Sequence, residues 1–302
     1  MNIDIKKIGT EKRNPKTMNI DKMSTEEIVR VINDEDKTVA SAVEGAILQI
    51  TKLVDAIVSA FEKKGRMIYL GAGTSGRIGL IDAVECRPTF SIPDEMVQCV
   101  MAGGVEAMVK AVEGAEDSKP LAIEDLKKIG LNNHDILIGI AASGRTPYVI
   151  GGIEYAKKLG CLTGCIVTSP NSELASLVDF PIEAITGSEP LTGSTRMKSG
   201  TAQKMICNIL TTASMIKMGR VYENLMIDVQ TNNEKLVKRA ESILEEAAGI
   251  SKEEAQALMS KFKTAKKALF SLLTGISELE KVDKFLEAAG GNIHKALKEA
   301  GK

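Results

Sequence analysis

Histidine is nearly absent. Of 302 residues only His134 and His294 could supply an imidazole, and neither is well placed to do so. His134 lies in the polar lead-in to an apolar stretch and His294 lies near the end of the chain, so both read as structural or solvated. Acid–base work by this chain therefore falls to carboxylates. Cysteine is sparse as well, with Cys86, Cys99, Cys161, Cys165 and Cys207 making an odd number, most of them inside apolar segments such as VQCVMAGG and CLTGCIVTS. Cys161 and Cys165 have no second Cys or His pair beside them, which argues against a zinc site. Reduced, buried thiols are expected. There is no excess of charge either: 39 basic against 40 acidic residues give a net charge of -1. That balance offers no general attraction for nucleic acid or an anionic membrane, and no helix-turn-helix segment with a basic face is visible. No apolar run approaches the roughly 18 residues of a membrane span. The opening MNIDIKKIGTEKRNPKT lacks the apolar core of a secretory signal, so a cytoplasmic protein is expected.

What is present is an ordinary globular balance of 44% hydrophobic and 26% charged residues. Ser24 and Glu27 form a capping-box signature ahead of EEIVRVI, and from Val39 to Phe61 apolar residues recur at helical spacing until Gly65. The period then changes. RMIYLGAG, VQCVMAGG, DILIGIAASG, CLTGCIVTS and DFPIEAITG are short apolar runs, and helical stretches are predicted between them over about 76–87, 104–114, 119–129 and 147–159. Alternation of this kind implies a parallel sheet covered on both faces, with ligands at the carboxyl ends of its strands. A long helix rich in Met and Ile follows TGSTRMKSGT, and its Met205, Met215 and Met218 read as core or subunit interface. From about 233 onward only helices are indicated, with capping boxes at Ser251–Glu254 and Ser277–Glu280. The expected division is an N-terminal helical region over 1–55, an α/β domain over 56–230 and a helical C-terminal domain over 231–302.

YLGAGTSGRIG fits the G-x-G-x-x-G pattern at Gly71, Gly73 and Gly76. A dinucleotide site also needs an acid at the end of the following strand, and here that strand ends in Ala102, Gly103 and Gly104. The dinucleotide reading fails on this point. What remains is a hydroxyl-bearing loop, with Thr74 and Ser75 at a strand-to-helix junction where an anion can meet backbone N–H groups. AASGRTP repeats the chemistry with Ser143, Gly144 and Thr146, followed by Pro147 at a first helical position. TGSTRMKSGT adds Ser194, Thr195 and Lys198. Such loops can cradle a phosphomonoester; Arg77 and Arg145, which follow the loops, read equally as phosphate partners or surface charges.

The paired GAGTSGR and AASGRTP loops resemble the sugar isomerase (SIS) fold, a parallel-sheet sandwich with flanking helices. More narrowly, TEKRNPKTMNID, INDEDKTVASAVE, GAGTSGRIGLIDAVECRPTF, AGGVEAMVKAVEGAED, GIAASGRTPYVIGGIEYAKKLG and TGSTRMKSGTAQK resemble the N-acetylmuramic acid 6-phosphate etherase family. The resemblance runs from residue 10 to about 230, and the helical tail fits it too. It implies cleavage of the lactyl ether at C3 of a phosphosugar by two glutamates, which fall on Glu85 in DAVECRPT and Glu116 in VEGAED. Arg87 stands where relatives can carry proline. No cofactor and no metal are implied. A homodimer is suggested by the apolar helices over 39–63 and 200–218.

The residues suit that chemistry. Opening of the sugar ring makes C1 an aldehyde and the C2 hydrogen acidic, so a base can remove it while an acid protonates the lactate oxygen leaving C3. Glu85 is set among Ile81, Ala83, Val84 and Cys86, and an apolar setting keeps a carboxyl protonated. It reads as the acid, and Glu116 as the base, with the roles exchangeable. Spacing alone does not separate Glu116 from Glu113, and Glu85 reads equally as a helix-end carboxylate paired with Arg77 or Arg87. Two other functions stay open: an aldose–ketose isomerase, and a non-catalytic phosphosugar-sensing regulator like the related glucokinase regulatory protein.

Overall fold

The computed structural model describes residues 9–110, 112–231 and 233–302. The first eight residues of the opening segment, and Ala111 within the predicted 104–114 helix, lie outside the described residues. Helix α1, Thr25–Asp36, begins with the expected capping box, Ser24 and Glu27 each satisfying the other's backbone N–H. The helix predicted from Val39 to Phe61 is two helices, α2 Thr38–Glu44 and α3 Ile47–Glu62, broken at Gly45 and Ala46. Beyond α3 the left-handed turn residue is Lys64, at φ 61°. Gly65 serves a different need: a Cβ there would lie 1.8 Å from the His134 carbonyl oxygen.

Strand β1, Met67–Gly71, leads into helix α4, Gly73–Phe90. Then come β2 Val97–Met101, α5 Lys119–Lys128, β3 Ile136–Ile140, α6 Pro147–Lys158, β4 Leu162–Val167, α7 Glu173–Leu177 and β5 Phe180–Glu183. All five strands are parallel, in the order β2-β1-β3-β4-β5. Every residue of β1 and β3 is buried, as expected of strands covered on both faces. Among its described residues, the helix predicted over 104–114 does not form. Gly103, Gly104 and Gly114 take positive φ, and the chain makes only short 3-10 turns at Val105–Met108 and Ala115–Asp117. Helix α8, Lys198–Lys217, is the Met-rich one; its Met215 is fully buried.

Five helices follow: α9 Glu234–Ala248, α10 Lys252–Phe262, α11 Ala265–Thr274, α12 Leu279–Ala288 and α13 Ile293–Glu299. The Ser251–Glu254 capping box forms. The Ser277–Glu280 box does not, because α12 starts one residue later with Glu278 as its cap. Contacts gather into two units. One holds the described residues up to Val84 with Glu95–Thr211, and the other holds Glu85–Asp94 with Thr212–Lys302. Within the second unit, Ser91 donates to the Asp228 carbonyl and Gln230 N–H to Pro88, which ties 85–94 to the helical part. Its core includes Leu244, Phe262, Leu269, Phe270, Val282 and Ile293. Lys266 is buried there; burial pushes its pKa down and the Asp228 carboxylate only partly restores it.

None of the five cysteines is in a disulfide. Burial pushes Cys99 and Cys165 up to about 12 and Cys161 up to about 11, which disfavours their thiolate forms near neutral pH. No helix among the described residues is long and apolar enough to cross a membrane.

The close approach at Gly65 is testable. Gly65→Ala should destabilise the protein by roughly 2–3 kcal/mol in urea unfolding. Gly45→Ala, whose Cβ would meet only ordinary contacts from 3.5 Å outward, should change stability by less than about 1 kcal/mol.

Candidate active site

In a sheet of this order the chain winds outward in opposite directions from β1 and β3, and ligand crevices open at that switch point. The two hydroxyl loops leave these adjacent strands at one level, since Gly71 is in register with Ile140. Thr74 and Ser75 begin α4; Ser143, Gly144 and Thr146 lead into α6. All but the buried Gly144 are half-buried. Gly71 and Gly76 pack back to back: a Cβ on Gly71 would lie 2.7 Å from the Gly76 nitrogen. Gly144 has φ 65°, and a Cβ on it would come within 2.3 Å of Ser172 Oγ. Thr146 caps α6 by position, yet its side chain makes no capping bond. The first N–H groups of α6 are thus left without a side-chain cap, the condition in which a helix start can meet an anion.

Helix α8 braces this arrangement. Ser75 Oγ lies 2.9 Å from Gln203 Oε1. Farther along α8, Asn208 and Thr211 donate to Asp82 of α4 at 2.6 and 3.2 Å, and the Tyr69 hydroxyl of β1 donates to it at 3.0 Å. Burial pushes the Asp82 carboxyl above its usual range, and these donors only partly offset it.

The third hydroxyl segment is placed differently from expectation. Ser194 and Thr195 are half-buried, but Lys198 is 3% exposed, and its ammonium donates to Glu35 Oε2 at 2.7 Å and to the Ser188 carbonyl at 3.2 Å. A buried ion pair, not an open anion site, holds this amine. The start of α8 is also taken: Glu189, fully buried, accepts from the Lys198 and Ser199 N–H groups at 2.9 Å each. Glu35 further accepts from Asn14 at 2.8 Å and pairs with Lys16 at 2.8 Å. Burial opposes its ionisation, but the donors of Lys16, Lys198 and Asn14 prevail and bring the carboxyl down to about 2. Glu35, Glu189 and Gln203 were not singled out from sequence; their one signal is that Glu35 and Gln203 lie inside the resemblance blocks.

Glu116 is exposed on the turn after Gly114, anchored by the buried Ala115. It lines a cavity of about 190 Å³ with Gly73 at the start of α4, Met101 and Ala102 at the end of β2, Arg77 and Lys110. Glu113 lines the same cavity, so position alone does not exclude it. Arg77 is not an open phosphate partner: it donates to the Ala107 and Met108 carbonyls at 2.8 and 3.2 Å, pinning the loop that carries Glu116. Arg145 lines a separate hollow with Ser172, Glu173 and Glu183.

Glu85 is exposed on α4. The apolar enclosure expected around it is missing in the single chain, since Ile81 and Val84 are themselves 55% and 61% exposed. Arg87 pairs with Asp94 instead, and Arg77 is engaged as above. No group of three or more metal-ligating side chains is assembled among the described residues.

The sheet order and paired loops define an α/β domain of the SIS class, and the profile of the glucokinase regulatory protein N-terminal SIS domain matches residues 49–157. N-acetylmuramic acid 6-phosphate etherase of Bacillus cereus is 52% identical over 97% of this chain and 100% of its own length. The protein of the same description from Bacillus mycoides gives the same identity and coverage. Phosphoheptose isomerase of Francisella tularensis superposes with a TM-score of 0.48 at 17% identity, covering 65% of this chain and 100% of its own. On the relatives' identity and coverage, the chain belongs to the N-acetylmuramic acid 6-phosphate etherase family.

The Glu35–Lys198 pair sets a pH dependence. A carboxyl depressed in the folded state adds stability above its unfolded pKa, near 4.5, and that stability is lost as pH falls toward about 2. Glu35→Gln should cost roughly 3–5 kcal/mol at pH 7 by leaving the buried Lys198 unpaired. In urea unfolding the gap between variant and native protein should narrow as pH drops from 4.5 to 3.

Proposed function

We propose that this chain cleaves the D-lactyl ether of N-acetylmuramic acid 6-phosphate with water, releasing N-acetylglucosamine 6-phosphate and D-lactate. The observation that carries the reading is the adjacency of the two hydroxyl loops at the switch point, in register at Gly71 and Ile140. A 6-phosphate held there meets hydroxyls and helix N-termini together. In this reading Thr74, Ser75, Ser143, Gly144 and Thr146 grip the phosphate, and Ser194 adds a hydroxyl from the third segment. Lys198 acts indirectly, holding that segment through Glu35.

The mechanism is elimination followed by hydration. With the ring open, Glu116 removes the C2 proton as Glu85 protonates the ether oxygen, the C3–O bond breaks and D-lactate departs. The resulting conjugated enal takes up water at C3, with Glu85 accepting the water's proton and C2 regaining a proton from Glu116. No net oxidation occurs, and the sequence of steps requires no redox group. The isomerase alternative shares only the C2 proton transfer and predicts a ketose; the regulator alternative predicts binding without turnover. In this reading the reaction runs in the cytoplasm, as a step in recycling cell-wall sugar.

Glu85→Gln and Glu116→Gln should each lower D-lactate release by about a hundred- to ten-thousand-fold while phosphosugar binding persists. Turnover in heavy water should leave deuterium at C2 of the product. Undiminished turnover by both variants removes the two assignments.

A homodimer is part of the same proposal. Ile47 and Leu48 on α3 are 52% and 78% exposed, and Ile209 and Ile216 on α8 are 38% and 49% exposed, an arrangement that a second copy would cover. Sedimentation should give twice the chain mass for the native protein and the single mass for Leu48→Asp.

A further inference from the structure

Gln203 sits on α8 at 1% exposure, in contact with the phosphate loop through one amide end only. Its Oε1 lies 2.9 Å from Ser75 Oγ, and its Nε2, fully shielded from solvent, meets no acceptor. A buried amide nitrogen with both hydrogens unpaired is costly, because it has given up water for nothing. Asn and Gln amides have the same outline when turned by half a rotation, so the assignment of oxygen and nitrogen follows from the hydrogen bonds each orientation permits.

The chemistry of Ser75 decides between the two orientations. With the oxygen toward Ser75, the serine hydroxyl hydrogen is committed to Gln203 and only lone pairs face the crevice. A phosphomonoester near neutral pH presents acceptor oxygens almost exclusively. Lone pair against lone pair is repulsive, so the Ser75 hydroxyl would not donate to a phosphate in that state. With the amide turned, Nε2–H donates to Ser75 Oγ over the same separation, and the hydroxyl hydrogen is released toward the crevice. The bond also polarises the hydroxyl, which strengthens its donation to an anion.

We infer that Gln203 is a positioning residue for phosphate recognition: its amide donates to Ser75 Oγ and so aims the serine hydroxyl at the phosphate. The inference rests on the proposed function, since it takes Ser75 as a phosphate ligand. It goes further in locating the selection for an anion one residue behind the loop, on a buried amide that never touches the ligand.

The test is a double-mutant cycle on the full-length protein, with the dissociation constant for N-acetylglucosamine 6-phosphate measured by calorimetry. Ser75→Ala should weaken binding by about ten- to a hundredfold, the loss of one hydrogen bond to a charged group. Gln203→Leu should weaken it by a comparable factor, and the Ser75→Ala/Gln203→Leu double variant should bind no more weakly than Ser75→Ala alone. Gln203→Glu, which can accept from Ser75 but not donate when ionised, should bind more weakly than Gln203→Leu. Gln203→Met serves beside Leu should the latter fold poorly, with thermal unfolding monitored for every variant. Weakening by Ser75→Ala with no weakening by Gln203→Leu or Gln203→Met overturns the role of Gln203 and leaves the phosphate site intact. Additive losses in the double variant assign Gln203 a structural role and also overturn it. Unchanged binding by Ser75→Ala removes the phosphate reading, and this inference with it.

Discussion

A parallel sheet buried on both faces can do its chemistry only at its ends. Its strand interiors are apolar, and each helix that follows a strand begins with N–H groups that have no partner within the helix. At the carboxyl edge between β1 and β3 these groups come from two neighbouring helices, α4 and α6, because the winding reverses there. The small and hydroxyl residues of the two loops follow from that crowding. Gly71 and Gly76 let the end of a strand touch the start of a helix, and Gly144 leaves room for Ser172.

The supporting polar groups lie behind the loops. Buried carboxylates anchor the flanking segments, Glu189 at the start of α8 and Glu35 between Lys198 and Asn14, while Asp82 joins α4 to α8 through one hydroxyl and one amide. Each is a group that would be expensive to bury alone and is inexpensive only with its donors in place. The network therefore specifies one arrangement of α8 against α4, which fixes how Gln203 meets Ser75. Lys198, Gln203 and Asn208, which hold the segment in place, thus lie in or just beyond the short motif TGSTRMKSGTAQK, beside Ser194, which is proposed to bind.

The sheet was legible in the sequence because doubly buried strands must be nearly uninterrupted apolar runs, and ILIGI at 136–140 is one. Capping boxes at Ser24 and Ser251 were legible for a local reason: two residues three positions apart complete each one. The 104–114 segment misled because its apolar spacing is helical, yet Val105 and Val109 are 85% and 80% exposed and the surrounding glycines favour turns. Glycine's freedom outweighed a periodicity that no core rewards. Charge was the least legible feature. INDEDK does not reveal that Glu35, and neither Asp34 nor Asp36, turns inward, because its partners Asn14 and Lys198 are remote in sequence. For the same reason Lys198 read as an open cation when it is one half of a buried pair. The exposure of Glu85 within one chain was likewise beyond reach, since helical spacing does not say which apolar neighbours are covered.

The central claim is that the twin loops at the switch point hold the phosphate of the sugar. A crystal structure with N-acetylglucosamine 6-phosphate bound tests it most directly. The phosphate oxygens are expected within hydrogen-bonding reach of Ser75 and of Ser143 or Thr146, with the sugar extending toward Glu116. A phosphate seated instead in the Arg145–Ser172 hollow, or among the C-terminal helices beside Lys266, would contradict it.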